Sequence, residues 1–307
     1  MLKGSGATVI LLVLFRITDW NKLERHLAEI NENWFLAALA LTLISPLLTA
    51  LRLKSFLSAT DIYVRYGPCA LTVLSGSALN LILPARGGDF AKMALLKKET
   101  NSNWSALTGV ALLERGFDVF ALGLIGLLGS ATLGIPSVTA ASVCVLTLAT
   151  AAGMLWLMGK GDSIPFLGDK LERLASTVSR AYKHPKTLAK AVFVAVLCWL
   201  VNCLTMGCLL KATTMGTASM LHSLAATPPA ILSGIVPVTL WGMGTRDAAL
   251  AFFLGNNVAW ESALAAGFLY TALVYWLLGL IGIPALLSIR RNGDTDNETR
   301  QHATASK

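Results

Sequence analysis

The sequence predicts an all-α polytopic membrane protein with about six full spans and two re-entrant or broken helical hairpins, arranged as an inverted repeat. Three observations lead there. Of the 307 residues, 55% are hydrophobic and only 14% are charged, where an ordinary soluble domain carries about 25% charge. Apolar runs of spanning length recur, and Lys and Arg gather in the short stretches between them, the pattern of membrane proteins oriented by positive loops. Two apolar runs are interrupted by Pro, Gly and charge at matching places. Hydrocarbon cannot satisfy the backbone groups that such breaks set free, so those segments belong inside protein or beside a wet cavity.

The run 4–17 is short for a span and fits if it tilts or the bilayer thins locally. Lys3 precedes it as in a signal peptide, but RITDW at 16–20 offers no small-residue cleavage site, so an uncleaved first helix is expected. An amphipathic linker over 19–33 leads to a span at 34–51 and a Lys/Arg-rich stretch at 52–65. The run 67–84 is broken midway by Ser75-Gly76-Ser77 and closed by Pro84, Arg86, Gly87, Gly88 and Asp89. Spans at 105–129 and 138–158 come next, then a basic amphipathic linker over 166–186 and a span at 187–210. The run 227–254 is broken by Pro228-Pro229, Pro237 and the Gly242-Met243-Gly244 turn, and a last span covers 262–289. The polar tail 292–307 is expected to be disordered.

Charge sets the expected topology. The stretches 52–65, 86–98 and 160–186 and the tail from Arg290 are Lys/Arg-rich and belong in the cytoplasm, whereas 16–33 and 211–219 belong outside. Placing both 52–65 and 86–98 inside requires the run between them to re-enter, and by the same logic 227–254 dips in from the outer side. The order span, linker, span, broken hairpin, span then occurs twice with opposite orientation, over about 4–130 and 138–289. The expectation is a single integral domain over 1–291 in the inner (cytoplasmic) membrane, with a cytoplasmic C-terminal tail.

Composition also excludes function classes. The net charge of +8 could suit nucleic acid, but the cations lie in short loops between apolar runs, so no nucleic-acid partner is expected. Cys69, Cys144, Cys198, Cys203 and Cys208 all fall in apolar segments, without a CxxC pair or metal-ligand spacing to His26, His184, His222 or His302. They read as inert buried thiols, with no metal and no cofactor. Nucleotide-binding, zinc-protease and nucleophile-elbow motifs are missing from the sequence, which argues against an enzyme and against ATP-driven pumping.

Three charged segments remain to be explained. Asn80–Asp89 (NLILPARGGD) ends an apolar run with a helix breaker, a planar five-donor fork in Arg86, glycines that let backbone approach a ligand, and Asp89. Gly234–Asp247 repeats that order with Pro237, Gly242, Gly244, Arg246 and Asp247, and amides freed at half-helix ends favour anions. Glu114, Arg115 and Asp118 sit within the span 105–129. Glu114 is about 13–14 Å along it, near the bilayer centre. Glu114 and Asp118 share a helix face, and Arg115 pairs with Asp118 at i+3. Charges at that depth mark a headgroup, proton or ion pathway. The plainer alternatives are surface salt bridges in the two loops and a static cluster in which the acids neutralise Arg86. Gly123, Gly126 and Gly129 suit close helix packing, and Trp199, Asn202, Tyr270, Tyr275 and Trp276 suit interfacial or interhelical contacts.

The runs NLILPARGGDFAKMALLKKE, LTGVALLERGFDVFALGL and VPVTLWGMGTRDAALAFF together resemble the flippase-like membrane domain of the lysylphosphatidylglycerol synthase family, including its stand-alone branch. The family pattern falls on Asn80, Pro84, Arg86, Gly88 and Asp89, on Glu114, Arg115 and Asp118, and on Pro237, Gly242, Gly244, Arg246 and Asp247, the last in place of the commoner Glu. The chain stops at Lys307 without a synthase domain, so the resemblance implies translocation without synthesis. The expected partner is an anionic phospholipid or a polyprenyl-phosphate-linked lipid. Arg86 and Arg246 would hold the phosphate, and Glu114 and Asp118 would balance or switch the charge of the cationic site. The rival expectation is a non-transporting membrane partner of an envelope lipid or glycan biosynthetic enzyme, and homo-oligomers are compatible with either.

Overall fold

In hydrocarbon every backbone N–H and C=O must find its partner within the protein, and a helix does this segment by segment. The computed structural model describes residues 20–83, 87–100, 102–133, 179–234 and 242–289, with isolated residues at 145, 147–149, 152–153 and 176–177. The elements are α1 (Trp20–Ala28), α2 (Glu32–Ala59), α3 (Tyr66–Ile82), α4 (Gly88–Glu99) and α5 (Trp104–Leu133), then α6 (Pro185–Thr213), α7 (Met220–Ser233), α8 (Thr245–Leu254) and α9 (Trp260–Ile289). A 3₁₀ turn, Gly255–Asn257, precedes α9, and α9 contains a π-helical segment, Ala272–Leu277. No strand occurs among the described residues. The run expected at 4–17, most of the run at 138–158 and of the 166–186 linker, Pro84, Arg86, Pro237 and the tail 292–307 lie outside them.

Among the described helices, α2, α6 and α9 are long and apolar enough to cross a bilayer. The 30-residue α5 is as long, about 45 Å at the α-helical rise, but carries Glu114, Arg115 and Asp118 within it. The Asn31 side chain caps α2 by accepting from the Trp34 amide at 3.3 Å, and Pro185 opens α6, where its missing N–H costs nothing. One face of α2 buries Ala38, Thr42, Pro46 and Ala50 at a spacing of four, while Leu36, Leu43, Ile44 and Leu47 stay exposed, as suits contact with lipid. The most extensive helix pairing is between α2 and α6. Around this pair, α2 is followed by the α3–α4 hairpin and α5, and α6 by the α7–α8 hairpin and α9.

Each hairpin is gripped by the long helix of the other group. On α5, Gly129 lies so close to the Leu224–Ala225 backbone of α7 that a side chain there would clash. On α9, Gly279 abuts Leu81 of α3, and Gly282 abuts the Leu74 carbonyl and the Ala78 amide. Small residues at helix crossings let backbones approach where no hydrophobic force distinguishes protein from lipid.

Three expectations need correction. Ser75-Gly76-Ser77 does not break α3, which runs unbroken to Ile82. Gly76 instead packs against α4, where a Cβ would meet the Gly88 carbonyl at 3.3 Å, and a Cβ at Gly88 would overlap the Gly76 carbonyl and Asn80. Pro228 and Pro229 do not break α7, which contains both and ends at Ser233. Both prolines are buried among neighbours, where a helix tolerates carbonyls that lack their i+4 donors. The stretches 52–65 and 86–98 are not simply basic loops. Helix α2 continues to Ala59, α4 begins at Gly88, and Arg52 and Lys92 are buried within them.

Gly88→Ala is expected to lower thermal stability in detergent by on the order of 1–3 kcal/mol, because the added methyl group meets backbone and Asn80 rather than a flexible side chain. Gly67, also a helical glycine of the first hairpin, has nothing within 4 Å of a built Cβ. Gly67→Ala is therefore expected to be stabilising by about 0.4–1 kcal/mol. Opposite shifts of the two unfolding midpoints check this.

Candidate functional site

Helical spacing aligns Glu114 and Asp118 one turn apart on α5, and the fold brings the guanidinium of Arg52, from α2, between them. Arg52 Nη2 donates to Glu114 Oε1 and Nη1 to Asp118 Oδ1, both at 2.6 Å. From α4, Lys92 Nζ donates to both Glu114 oxygens at 3.0 and 2.9 Å. From α6, the Trp199 indole N–H donates to Asp118 Oδ1 at 2.9 Å. Arg115 Nη1 lies 3.5 Å from Asp118 Oδ2. Glu114 is 1% exposed, and Asp118, Lys92 and Arg52 are buried with it. Charges so enclosed are tolerable only with partners at hydrogen-bonding distance. The stacked Phe56 and Phe117 rings, 5.7 Å apart, lie on the same two helices, Phe56 one turn after Arg52 and Phe117 just before Asp118.

This cluster forms one wall of a cavity of about 140 Å³ between the two helix groups. Pro46, Thr49 and Arg52 of α2 line it, with Ser77 and Asn80 of α3, Lys92 of α4 and Arg115 and Asp118 of α5. Cys198, Trp199 and Asn202 of α6 and Tyr270, Val274 and Tyr275 of α9 also line it. Three cationic side chains from three helices thus share the lining with aromatic rings and an amide.

The second motif builds a separate cluster. Gly242 and Gly244 hold φ of +74° and +89°, the left-handed conformation that turns the chain into α8. Asp247 then accepts from the Gly244 amide at 3.0 Å. Arg246 donates to Asp247 Oδ1 through Nε at 2.8 Å and Nη2 at 2.6 Å, and Nη2 also reaches the Gly267 carbonyl and Thr271 Oγ1. Among the described residues, Arg246 Nη1 has no hydrogen-bond partner.

Of the residues singled out by sequence, Asn80, Arg115 and Asp118 line the cavity, and Glu114 sits behind Arg52 and Lys92. Asn80 also accepts from the Gly88 amide at 2.9 Å, tying α3 to the start of α4, with Gly87 as the residue before it. Asp89 falls in the first turn of α4; its side chain and Arg86 lie outside the described residues. Arg246 and Asp247 do not line the cavity. Arg52 and Lys92, which sequence placed in basic stretches between apolar runs, help to neutralise Glu114 and Asp118, and Trp199, expected at an interfacial or interhelical contact, makes an interhelical hydrogen bond to the cluster. Their signal was weak but present. Arg52 follows an apolar run with no turn residue between, and Lys92 is flanked by Ala91 and Met93 one helical turn after Gly88.

A helical, multi-pass membrane protein with a buried ion-pair cluster beside a cavity between two hairpin-bearing groups is the class that this geometry defines. The chain belongs to the family described as the lysylphosphatidylglycerol synthase TM region, whose sequence model matches residues 1–282. It is also 25% identical over 223 residues to a UPF0104 membrane protein of Methanocaldococcus jannaschii, a match covering 70% of this chain and 95% of that relative.

Glu114→Ala leaves Arg52 and Lys92 buried without their shared acceptor and is expected to destabilise the protein by about 3–5 kcal/mol. Arg115, with 31% of its side chain exposed, sits where ion pairs contribute about 0–1 kcal/mol. Chemical unfolding in detergent of Glu114→Ala and Arg115→Gln, side by side, measures the contrast.

Proposed function

We propose that this protein binds the anionic headgroup of a membrane lipid, a phospholipid or a polyprenyl-phosphate-linked lipid, in the central cavity and moves it between the leaflets of the inner membrane. The observation that carries the proposal is the convergence of Arg52, Lys92 and Arg115 on one cavity inside an otherwise apolar chain. Lys92 and Arg115 supply N–H donors for phosphate oxygens. Glu114 and Asp118 hold the cations in place and make them tolerable at that depth when no ligand is present. Trp199, Tyr270 and Tyr275 offer amphipathic surface to the glycerol or isoprenoid part of the lipid.

Movement is supported by the repeated helix order. The first group (α2, α3–α4, α5) and the second (α6, α7–α8, α9) suit an inverted repeat, a plan in which one half rocks against the other around a site at their interface. The reciprocal glycine contacts, Gly129 of α5 against α7 and Gly279 and Gly282 of α9 against α3, couple the two groups through close-packed seams. With no nucleotide-binding motif in the chain, the driving force is a lipid or proton gradient.

Reconstituted in liposomes, the parent protein is expected to move fluorescent phosphatidylglycerol or a polyprenyl phosphate between leaflets faster than empty vesicles do. Arg115→Gln is expected to slow that movement about tenfold, the ~1.4 kcal/mol of one charge-assisted contact. A parent protein that moves neither lipid faster than empty vesicles overturns the transport function.

A further inference from the structure

Arg246 is one of the largest fully buried side chains among the described residues, at 1% exposure, and its neighbours describe its task. Asp247, the next residue, takes up its charge. Its guanidinium lies over the Tyr270 ring, 4.8 Å from the centroid. The Tyr270 hydroxyl donates to Asn202 Oδ1 at 3.0 Å, and the Asn202 amide nitrogen donates to the Cys198 carbonyl at 2.9 Å. Tyr270, Asn202 and Cys198 all line the central cavity, whereas Arg246 does not. A chain of direct contacts therefore runs from the second hairpin to the cavity wall.

The same guanidinium also grips the backbone of α9. Arg246 Nη2 donates to the Gly267 carbonyl at 2.8 Å and to Thr271 Oγ1 at 2.7 Å, and Thr271 is the residue immediately before the π-helical segment Ala272–Leu277. A π segment changes the rotational register of the residues that follow, and it needs support because its hydrogen bonding differs from that of the flanking α-helix. Val274 and Tyr275, within this segment, line the cavity. A side chain at Gly267 would overlap the Asp247 carboxylate, so the approach of α8 to α9 is built for this grip.

We propose that Arg246 is a positioning residue of the headgroup cavity: it does not contact the ligand, but holds Tyr270 against Asn202 and fixes the π-helical wall, and so sets how tightly the cavity closes on a headgroup. The role rests on the central cavity being the headgroup site. Arg246 Nη1 is the group through which a direct contact with an anion would have to be made, so the test must separate positioning from contact.

The test measures binding of short-chain phosphatidylglycerol to the full chain in detergent, as a function of salt. Arg246→Lys keeps the charge beside Asp247 but cannot bond Gly267 and Thr271 while lying flat on Tyr270. Tyr270→Phe keeps the ring and removes the bond to Asn202. Each is expected to weaken binding about fivefold to tenfold, and the double variant to be no weaker than the weaker single one, because both break the same chain of contacts. Arg246→Gln combined with Asp247→Asn removes both charges of the pair together. It is expected to weaken binding while leaving its salt dependence as in the parent, whereas Arg115→Gln flattens that dependence. Losses that multiply in the double variant, or a flattened salt dependence in the neutralised pair, overturn positioning while the headgroup site stands. Unchanged binding in Arg115→Gln overturns the headgroup site, and the proposed role of Arg246 with it. Should Arg246→Lys fail to fold, Tyr270→Phe with Asn202→Leu and the neutralised pair decide the question by the same criteria.

Discussion

The ion-paired group of Arg52, Glu114, Asp118 and Lys92 is the constraint around which the rest of this protein is arranged. Four charges buried in an apolar chain are costly one by one, and no single helix can satisfy them. Arg52 comes from α2, Lys92 from α4 and the acids from α5, with an indole N–H from α6 also donating to Asp118 Oδ1. Meeting the charge requirement therefore fixes the mutual placement of four helices. It also explains why α5, with three charged residues within it, is held inside the bundle while the apolar faces of α2 and α9 remain exposed.

The hairpins follow from the same economy of polar groups. A helix end in hydrocarbon leaves backbone groups without partners, so each break must be covered by protein. At the first hairpin Asn80 accepts from the Gly88 amide, and at the second Asp247 accepts from the Gly244 amide. One side chain at each turn thus satisfies a donor that water would satisfy elsewhere. Glycines at the crossings permit this. Gly88 lets α4 lie against α3, and Gly129, Gly279 and Gly282 let long helices clasp the hairpins. These contacts are backbone to backbone, or backbone to a short stretch of side chain, and a methyl group is enough to disturb them.

The acids of α5 and the Arg246–Asp247 pair stand differently towards the cavity. Asn80 and Asp118 line it, with Glu114 behind Arg52 and Lys92, while Arg246 and Asp247 neutralise each other beside α9 and reach the cavity through Tyr270 and Asn202. What each charged group does depends on which neighbour supplies the opposite charge. At Arg246 it is the adjacent residue. At Glu114 and Asp118 it is Arg115 on the same helix together with two cations more than twenty positions away along the chain.

By itself the sequence determined that the chain is helical and lives in a membrane, where its long helices lie, that the second hairpin turns at Gly242-Met243-Gly244, and that Glu114, Arg115 and Asp118 share one locality. These are consequences of local pattern: apolar run length, helical spacing, and the backbone freedom of Gly. The tertiary structure alone decided that Arg52 and Lys92 are the partners of those acids, that Gly76, Pro228 and Pro229 lie inside continuous helices, and that Arg246 faces α9 rather than the cavity. In composition Arg52 and Lys92 are indistinguishable from loop cations. What separates them is burial against acids on another helix, a long-range pairing that hydropathy and spacing cannot encode.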